Sequence, residues 1–344
     1  MFGKDGHIKK FGGEMESFGG ETDSRTVFFT DSGRSSLRLI LDSDAARGKK
    51  FILPDFLCGV ITDVFEEKGV DFGFYRIKED LTIDTESVKG DYDAAYVIDY
   101  FGSESSGIDY FRAEKSAVRL FREDTLIIED RVFCPRTENT GDWKNWAGFN
   151  SLRKISRCPA GSVLIATFPL RREEALAGEP PFAGLKREGR RLKKEWISGA
   201  GVREPDFLNL LKEGEDAIDA QTAVYQASPK ITDEINRFHE WLGRGAGVEI
   251  RRKNISVLRN ELGEFEIPLP CLDFPCFFVM RCHRRDALRK KLAEEGIYLP
   301  VHWPAPARFS GPDRNPLYNR IISIPVDERW TEGDMALVAA KVKT

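Results

Sequence analysis

The chain has no apolar run long enough to span a bilayer. Its opening residues, Met1-Phe-Gly-Lys-Asp-Gly-His-Ile-Lys-Lys, contain no continuous apolar stretch. Membrane embedding and a secretory signal are therefore not expected, and a cytoplasmic location is. Cysteine is sparse: Cys58, Cys134, Cys158, Cys271, Cys276 and Cys282 are scattered, with no Cys-x-x-Cys pair and no histidines at zinc spacing. That pattern excludes a zinc module and reads as reduced thiols. Charge of one sign is also lacking. A formal net charge of -4 gives no electrostatic footprint for nucleic acid, and the basic clusters at 186–194 and 251–253 read as solvated helix faces. Internal repeats are absent.

What is present is enough apolar material for a large core. Hydrophobic residues make up 41% of 344 residues and charged residues 31%, a length that favours one large and one smaller domain. Residues 1–25 are Gly-rich without periodicity and are expected to form a flexible arm. From 26 to about 167, short apolar runs alternate with amphipathic stretches, which predicts strand and helix units in a mostly parallel sheet. Strands are expected at 26–30, 50–53, 70–75, 94–98, 126–128 and 162–167, with helices at 35–41 and 59–68. Residues 171–247 are rich in Arg, Lys and Glu with helical apolar spacing. The glycines of Gly243-Arg-Gly-Ala-Gly247 follow a helix, so they read as a stop and hinge rather than a dinucleotide loop. The expected boundaries are thus a large domain at 26–247 and a small C-terminal α/β domain at 248–344. The latter has helices at 249–262, 285–295 and after Thr331, and a strand at 275–280.

One pairing carries chemistry. Leu126-Ile-Ile-Glu-Asp130 reads as a buried strand ending in a carboxylate, and Ser151-Leu-Arg-Lys154 follows, with Lys154 twenty-four residues after Asp130. An acid that keeps a pyridine nitrogen protonated and an amine that forms a Schiff base are what pyridoxal 5'-phosphate (PLP) requires. Asp130 lies where open α/β sheets place ligand groups; a strand-end turn or helix cap is the alternative. Lys154 would carry the Schiff base and move a proton, and the Ser151 hydroxyl could reach the phosphate. Ser-x-x-Lys also occurs in penicillin-binding enzymes, but their Ser-Asp-Asn and Lys-Thr-Gly strings are missing here. Ser32-Gly33-Arg34-Ser35-Ser36 joins a strand to a helix start and is a candidate anion cradle, although an ordinary capped helix fits the same residues. Asp99 ends another apolar strand and could line the pocket. Asp55 and Cys58 begin the turn after the strand at 50–53. His302 and Trp303, in Gly296-Ile-Tyr-Leu-Pro-Val-His302-Trp-Pro304, are candidates to face substrate or cofactor, against the plainer reading of a core or surface histidine.

With these elements in order, the chain resembles the DegT/DnrJ/StrS family of PLP-dependent sugar aminotransferases, of the fold type I superfamily. The resemblance runs from Ser32 to about Arg329. It rests on Ser32-Gly33 as phosphate turn, Val97-Ile-Asp-Tyr-Phe-Gly102, Ile128-Glu-Asp130, Lys154 with Gly161 seven residues on, Gly296-Ile-Tyr, His302-Trp-Pro304, Ile322-Ser-Ile-Pro325 and Arg329. It implies a three-layer α/β/α large domain with a small C-terminal domain. It also implies an amino donor such as glutamate and a nucleotide-linked keto-sugar acceptor, in polysaccharide or secondary-metabolite synthesis, and a homodimer with shared active sites. On it, Ser32, Gly33, Arg34, Cys58, Asp99, Asp130, Ser151 and Lys154 are the expected cofactor residues, and Asp55, His302, Trp303 and Arg329 the expected substrate residues. The chain departs from the family at Arg131-Val132-Phe133, where small residues and then Gln or His are usual, at Ser162, and at Cys58, where a stacking ring is usual. An Asn-Tyr-Arg segment reaching the partner's phosphate is not recognisable between 165 and 250. A PLP-dependent elimination and a non-catalytic binding homologue remain the alternatives.

Overall fold

The computed structural model describes residues 26–103, 124–139, 143–269, 273–309, 311 and 314–343. The expected arm at 1–25 and Cys271 lie outside them. Seven strands form the main sheet: β1 (Thr26–Thr30), β2 (Phe51–Pro54), β3 (Phe72–Tyr75), β4 (Ala94–Ile98), β5 (Leu126–Asp130), β6 (Trp146–Phe149) and β7 (Ser162–Ala166). Their spatial order is β1-β7-β6-β5-β4-β2-β3. The run from β3 to β6 is parallel throughout, and β7 is antiparallel to both of its neighbours. Every residue of β2, β4, β5 and β6 is buried. Continuous apolar strands of this kind belong to a parallel sheet covered on both faces, so the fold is α/β, as the alternation of runs predicts.

Two helices cross over within this sheet, α1 (Gly33–Asp42) and α2 (Gly59–Glu67). The short helix α3 (Leu152–Ile155) follows β6. The stretch expected to be helical contains α4 (Pro181–Ile197), α5 (Glu204–Ala220) and α6 (Pro229–Gly243). The Gly-rich stretch does stop a helix: α6 ends at Gly243 and α7 (Ala246–Leu262) starts after Gly245. Further on come β8 (Phe277–Arg281), α8 (Arg285–Glu294), α9 (Leu317–Arg320), β9 (Ile321–Pro325) and α10 (Glu332–Lys343).

β8 and β9 pair antiparallel as a separate two-stranded sheet. Alternation divides its residues between two apolar clusters. Phe277, Val279 and Ile321 join the main core, while Phe278, Met280, Ile322 and Ile324 join Ile255, Leu258, Leu262, Leu292, Met335 and Ala339 in a second. β6 and β9 are not evident in the sequence. Trp-Ala-Gly-Phe is too short to show a period, and β9 is an apolar run whose partner lies forty residues earlier.

Candidate active site

The parallel strands end together. Ile98 pairs with Asp130 and Asp130 with Phe149, so Asp99, Asp130 and Asn150 emerge at one edge of the sheet, its carboxyl edge. Ligands gather at that edge in open α/β sheets. The start of α1 packs directly against it. A Cβ at Gly33 would meet the Phe149 ring at 3.2 Å and the Asn150 carbonyl at 3.3 Å, so a side chain here would press on both and the glycine eases the close approach of the helix N-terminus. Ser32 caps the helix through its Oγ, which accepts from Ser35 N at 3.3 Å. The Lys154 segment is stitched to the same turn: Gly161, at φ +113°, donates its N–H to Asp31 O at 2.6 Å and accepts from Leu152 N at 3.0 Å. The hydroxyls of Ser36 and Ser162 meet at 2.9 Å.

Asp130 is buried, with Oδ2 accepting from the Tyr96 hydroxyl at 2.7 Å and Oδ1 from Val132 N at 3.0 Å. Burial pushes its carboxyl up to about 6, against the opposing pull of the Tyr96 hydroxyl, the Val132 amide and the charge of Lys154. A second cation beside it would bring the carboxylate back to its ionised form. Lys154 is exposed as a whole residue, while the protein around its ammonium partly desolvates the charged form. That desolvation is the leading cause of a lowered pKa, followed by the neighbouring Arg153; Cys58 and Asp130 pull the other way. An amine whose charged form is disfavoured is a better nucleophile and proton acceptor at neutral pH. Its Nζ lies 5.7 Å from the centre of the Phe133 ring.

Phe133 belongs to an aromatic cluster. The His302 ring meets Phe277 at 4.8 Å, Phe133 at 5.3 Å and Phe101 at 5.6 Å, and Trp303 stacks on Phe101 at 6.1 Å. Burial, with the charge of Lys154 adding to it, pushes His302 down to about 3, so its imidazole is neutral. His302 Nδ1 and Trp303 Nε1 are buried without hydrogen-bond partners.

The remaining expected residues lie in several environments. Arg34 turns to the end of α5, donating to Ile218 O at 2.7 Å and Asp219 at 2.6 Å, so its guanidinium fastens that helix. Ser151 is the N-cap residue of α3 and is buried, but its side chain makes no capping bond. Cys58 stands at the start of α2, half-buried, near enough to bear on Lys154. Asp99 joins a buried ion cluster: its Oδ2 lies 3.3 Å from Arg131 Nε, and burial with the charge of Glu129 raises its pKa strongly. Glu129, which accepts from Trp146 Nε1 at 2.8 Å, alternates with Asp130 along β5 and so faces the other side of the sheet. Asp55 Oδ1 accepts from Ile77 N at 2.9 Å and Asn315 Nδ2 at 2.7 Å, a tie between two loops. Arg329 is paired with Asp327 at 2.5 and 2.8 Å. The sequence reading did not single out Tyr96. Its signal is a lone hydroxyl in the apolar run Ala-Ala-Tyr-Val-Ile.

Neither a family model nor a curated protein matches the chain. Solved structures do. An aminotransferase of the DegT DnrJ EryC1 StrS type from Brucella abortus aligns over 92% of this chain and 85% of its own, with a TM-score of 0.61 at 15% identity. Spr1654 from Streptococcus pneumoniae, in its PLP form, aligns over 92% and 86%, with a TM-score of 0.63 at 11% identity. The sugar aminotransferase CalS13 from Micromonospora echinospora aligns over 92% and 86%, with a TM-score of 0.58 at 17% identity. The chain therefore has the fold of the type I PLP aminotransferases.

Proposed function

We propose that this protein is a PLP-dependent aminotransferase. The observation that carries the reading is the convergence of Asp130, Lys154 and the N-terminus of α1 at the carboxyl edge of the parallel strands. The residues fit the cofactor. Asp130 is a buried acid held near 6, and Lys154 is the one cation among the groups that shift it. The α1 amides, Ser32 and Ser151 suit a phosphate, and the Lys154 amine is desolvated. When bound, PLP supplies an electron sink for carbanion chemistry at the substrate carbon.

The chain's own groups then have definite tasks. Asp130 holds the ring nitrogen protonated, and Tyr96 and Val132 fix the carboxylate that does so. Lys154 Nζ takes up and returns the proton at the amine-bearing carbon of the substrate, a task its lowered pKa suits. Phe133, His302 and Trp303 exclude water from that side of the amine. The donor is read as an amino acid such as glutamate. The acceptor is read as a nucleotide-linked keto-sugar, a reading supported by likeness to CalS13, a sugar aminotransferase, and to DesI, whose structure was solved with its TDP-sugar product. A homodimer in the cytoplasm is part of the same reading.

The test begins with the absorbance spectrum. Wild type mixed with PLP should gain a visible band that Lys154→Ala lacks. Glutamate with keto-sugars should then yield 2-oxoglutarate together with an amino sugar. No band in the wild type would end the reading, and a band with a dehydrated product in place of an amino sugar would turn it to elimination.

A further inference from the structure

Lys154 lies between two carbonyl groups that a four-residue helix leaves without intrahelical partners. Each is held by a guanidinium from a distant helix. Arg190 of α4 donates to Arg153 O at 3.0 Å, and also to Cys158 O at 2.8 Å. Arg251 of α7 donates from Nη2 to Ile155 O at 3.3 Å. The residue before Lys154 and the residue after it are thus both fastened through their backbones.

Arg251 does more than fasten. It is 2% exposed, and its Nη1 donates to Pro275 O at 3.0 Å, at the entry to β8. Its Nε lies 3.0 Å and its Nη2 2.7 Å from Glu328 Oε2, and the group stacks on Phe274 at 4.1 Å. Glu328 precedes Arg329, and α7 supplies Ile255, Leu258 and Leu262 to the second core. One planar fork therefore touches the backbone beside Lys154, the start of β8 and the 327–330 loop. Lysine could not replace it, because a single ammonium lacks the fixed, divergent donors of a guanidinium.

We propose that Arg251 is a positioning residue for Lys154, coupling the 327–330 loop to the backbone that carries the amine. A displacement of the loop holding Arg329 then reaches Lys154 through one side chain. The catalytic meaning of this coupling rests on the aminotransferase reading; the coupling itself does not.

The experiment measures the Lys154 amine directly in the full-length protein without added PLP. Modification by trinitrobenzenesulfonate is followed by mass spectrometry across a pH series, beside thermal melting. In the wild type the Lys154 midpoint should lie below that of an ordinary lysine. Arg251→Lys should raise the midpoint by about one unit, making the amine about tenfold less reactive at a pH below it, as the segment loosens and the ammonium reaches water. Glu328→Gln, which cuts the tie from the other end, should move it in the same direction. Leu258→Ala, in the second core and away from the segment, should lower the melting temperature and leave the midpoint unmoved. A midpoint in folded Arg251→Lys that is unchanged or lowered overturns the proposal. So does an equal rise in Leu258→Ala, which would reduce Arg251 to general support. PLP added to the same samples separates the two ideas: a wild type without a visible band ends the aminotransferase reading while the labelling still decides the role of Arg251.

Discussion

The Tyr96 hydroxyl donates to Asp130 Oδ2 at 2.7 Å, from one fully buried strand to the next. This bond is one of the groups that keep the Asp130 pKa from rising further under burial. Tyr96→Phe should therefore push the carboxyl higher and weaken its pairing with a protonated ring nitrogen. At pH 5, below the carboxyl's pKa, each unit of rise lowers its ionised fraction, and with it PLP affinity, about tenfold, which an absorbance titration reads. An unchanged affinity would show that Tyr96 does not tune the acid.

Asp130 carries a cost in the absence of a cationic ligand. Because its folded-state pKa stands at about 6 against an ordinary 3.8, the folded chain holds this proton more tightly than the unfolded chain. Its contribution is full below the ordinary value and is lost as pH rises through about 6, a penalty on the order of 3 kcal/mol at neutral pH. Asp130→Asn should melt several degrees higher than the wild type at neutral pH without PLP, lose that advantage near pH 4, and be inactive. Equal melting at both pH values would refute the assignment of a strained acid.

His302 has the opposite sign. Its folded-state value of about 3 lies below the ordinary 6.5, so its contribution is present above 6.5 and is lost as pH falls toward 3. The stability difference between wild type and His302→Gln should shift against the wild type by about 2 kcal/mol between neutral pH and pH 5. His239, held at about 4 by burial, acts in the same direction but is common to both proteins. Urea unfolding at a series of pH values reads the difference, and parallel curves would contradict it.

Asp55 separates a structural tie from a substrate contact. Its Oδ1 is the acceptor for both Ile77 N and Asn315 Nδ2, and burial raises its pKa. Asp55→Asn keeps that acceptor and should be nearly neutral, whereas Asp55→Ala leaves two donors unpaired and should cost about 1–3 kcal/mol. A large change in KM in Asp55→Asn at unaltered melting temperature would instead set Asp55 against substrate.

The parts of this molecule that follow from local pattern are legible in the chain. β5 ends in a carboxylate because an apolar run meets an acid, and the helix after Ser32 starts with a capping residue. The parts that depend on register are not. Tyr96 reaches Asp130 only because β4 and β5 are adjacent and in step, a fact no single segment contains. Asp99 also ends an apolar strand, but a strand-end rule does not say which face a side chain takes, and nothing in the chain announces that its carboxylate lies beside Arg131. Arg251 contacts a carbonyl 96 positions away, and nothing near it in the chain distinguishes it from Arg252 or Lys253.

The divided loyalty of the β8–β9 ribbon has a practical consequence. Its rows face separate cores, so residues 248–344 expressed alone would present Phe277, Val279 and Ile321 to solvent as a bare apolar strip. Such a fragment should aggregate rather than fold. In the intact chain the backbone amides of that ribbon should exchange with deuterium only when both cores open together.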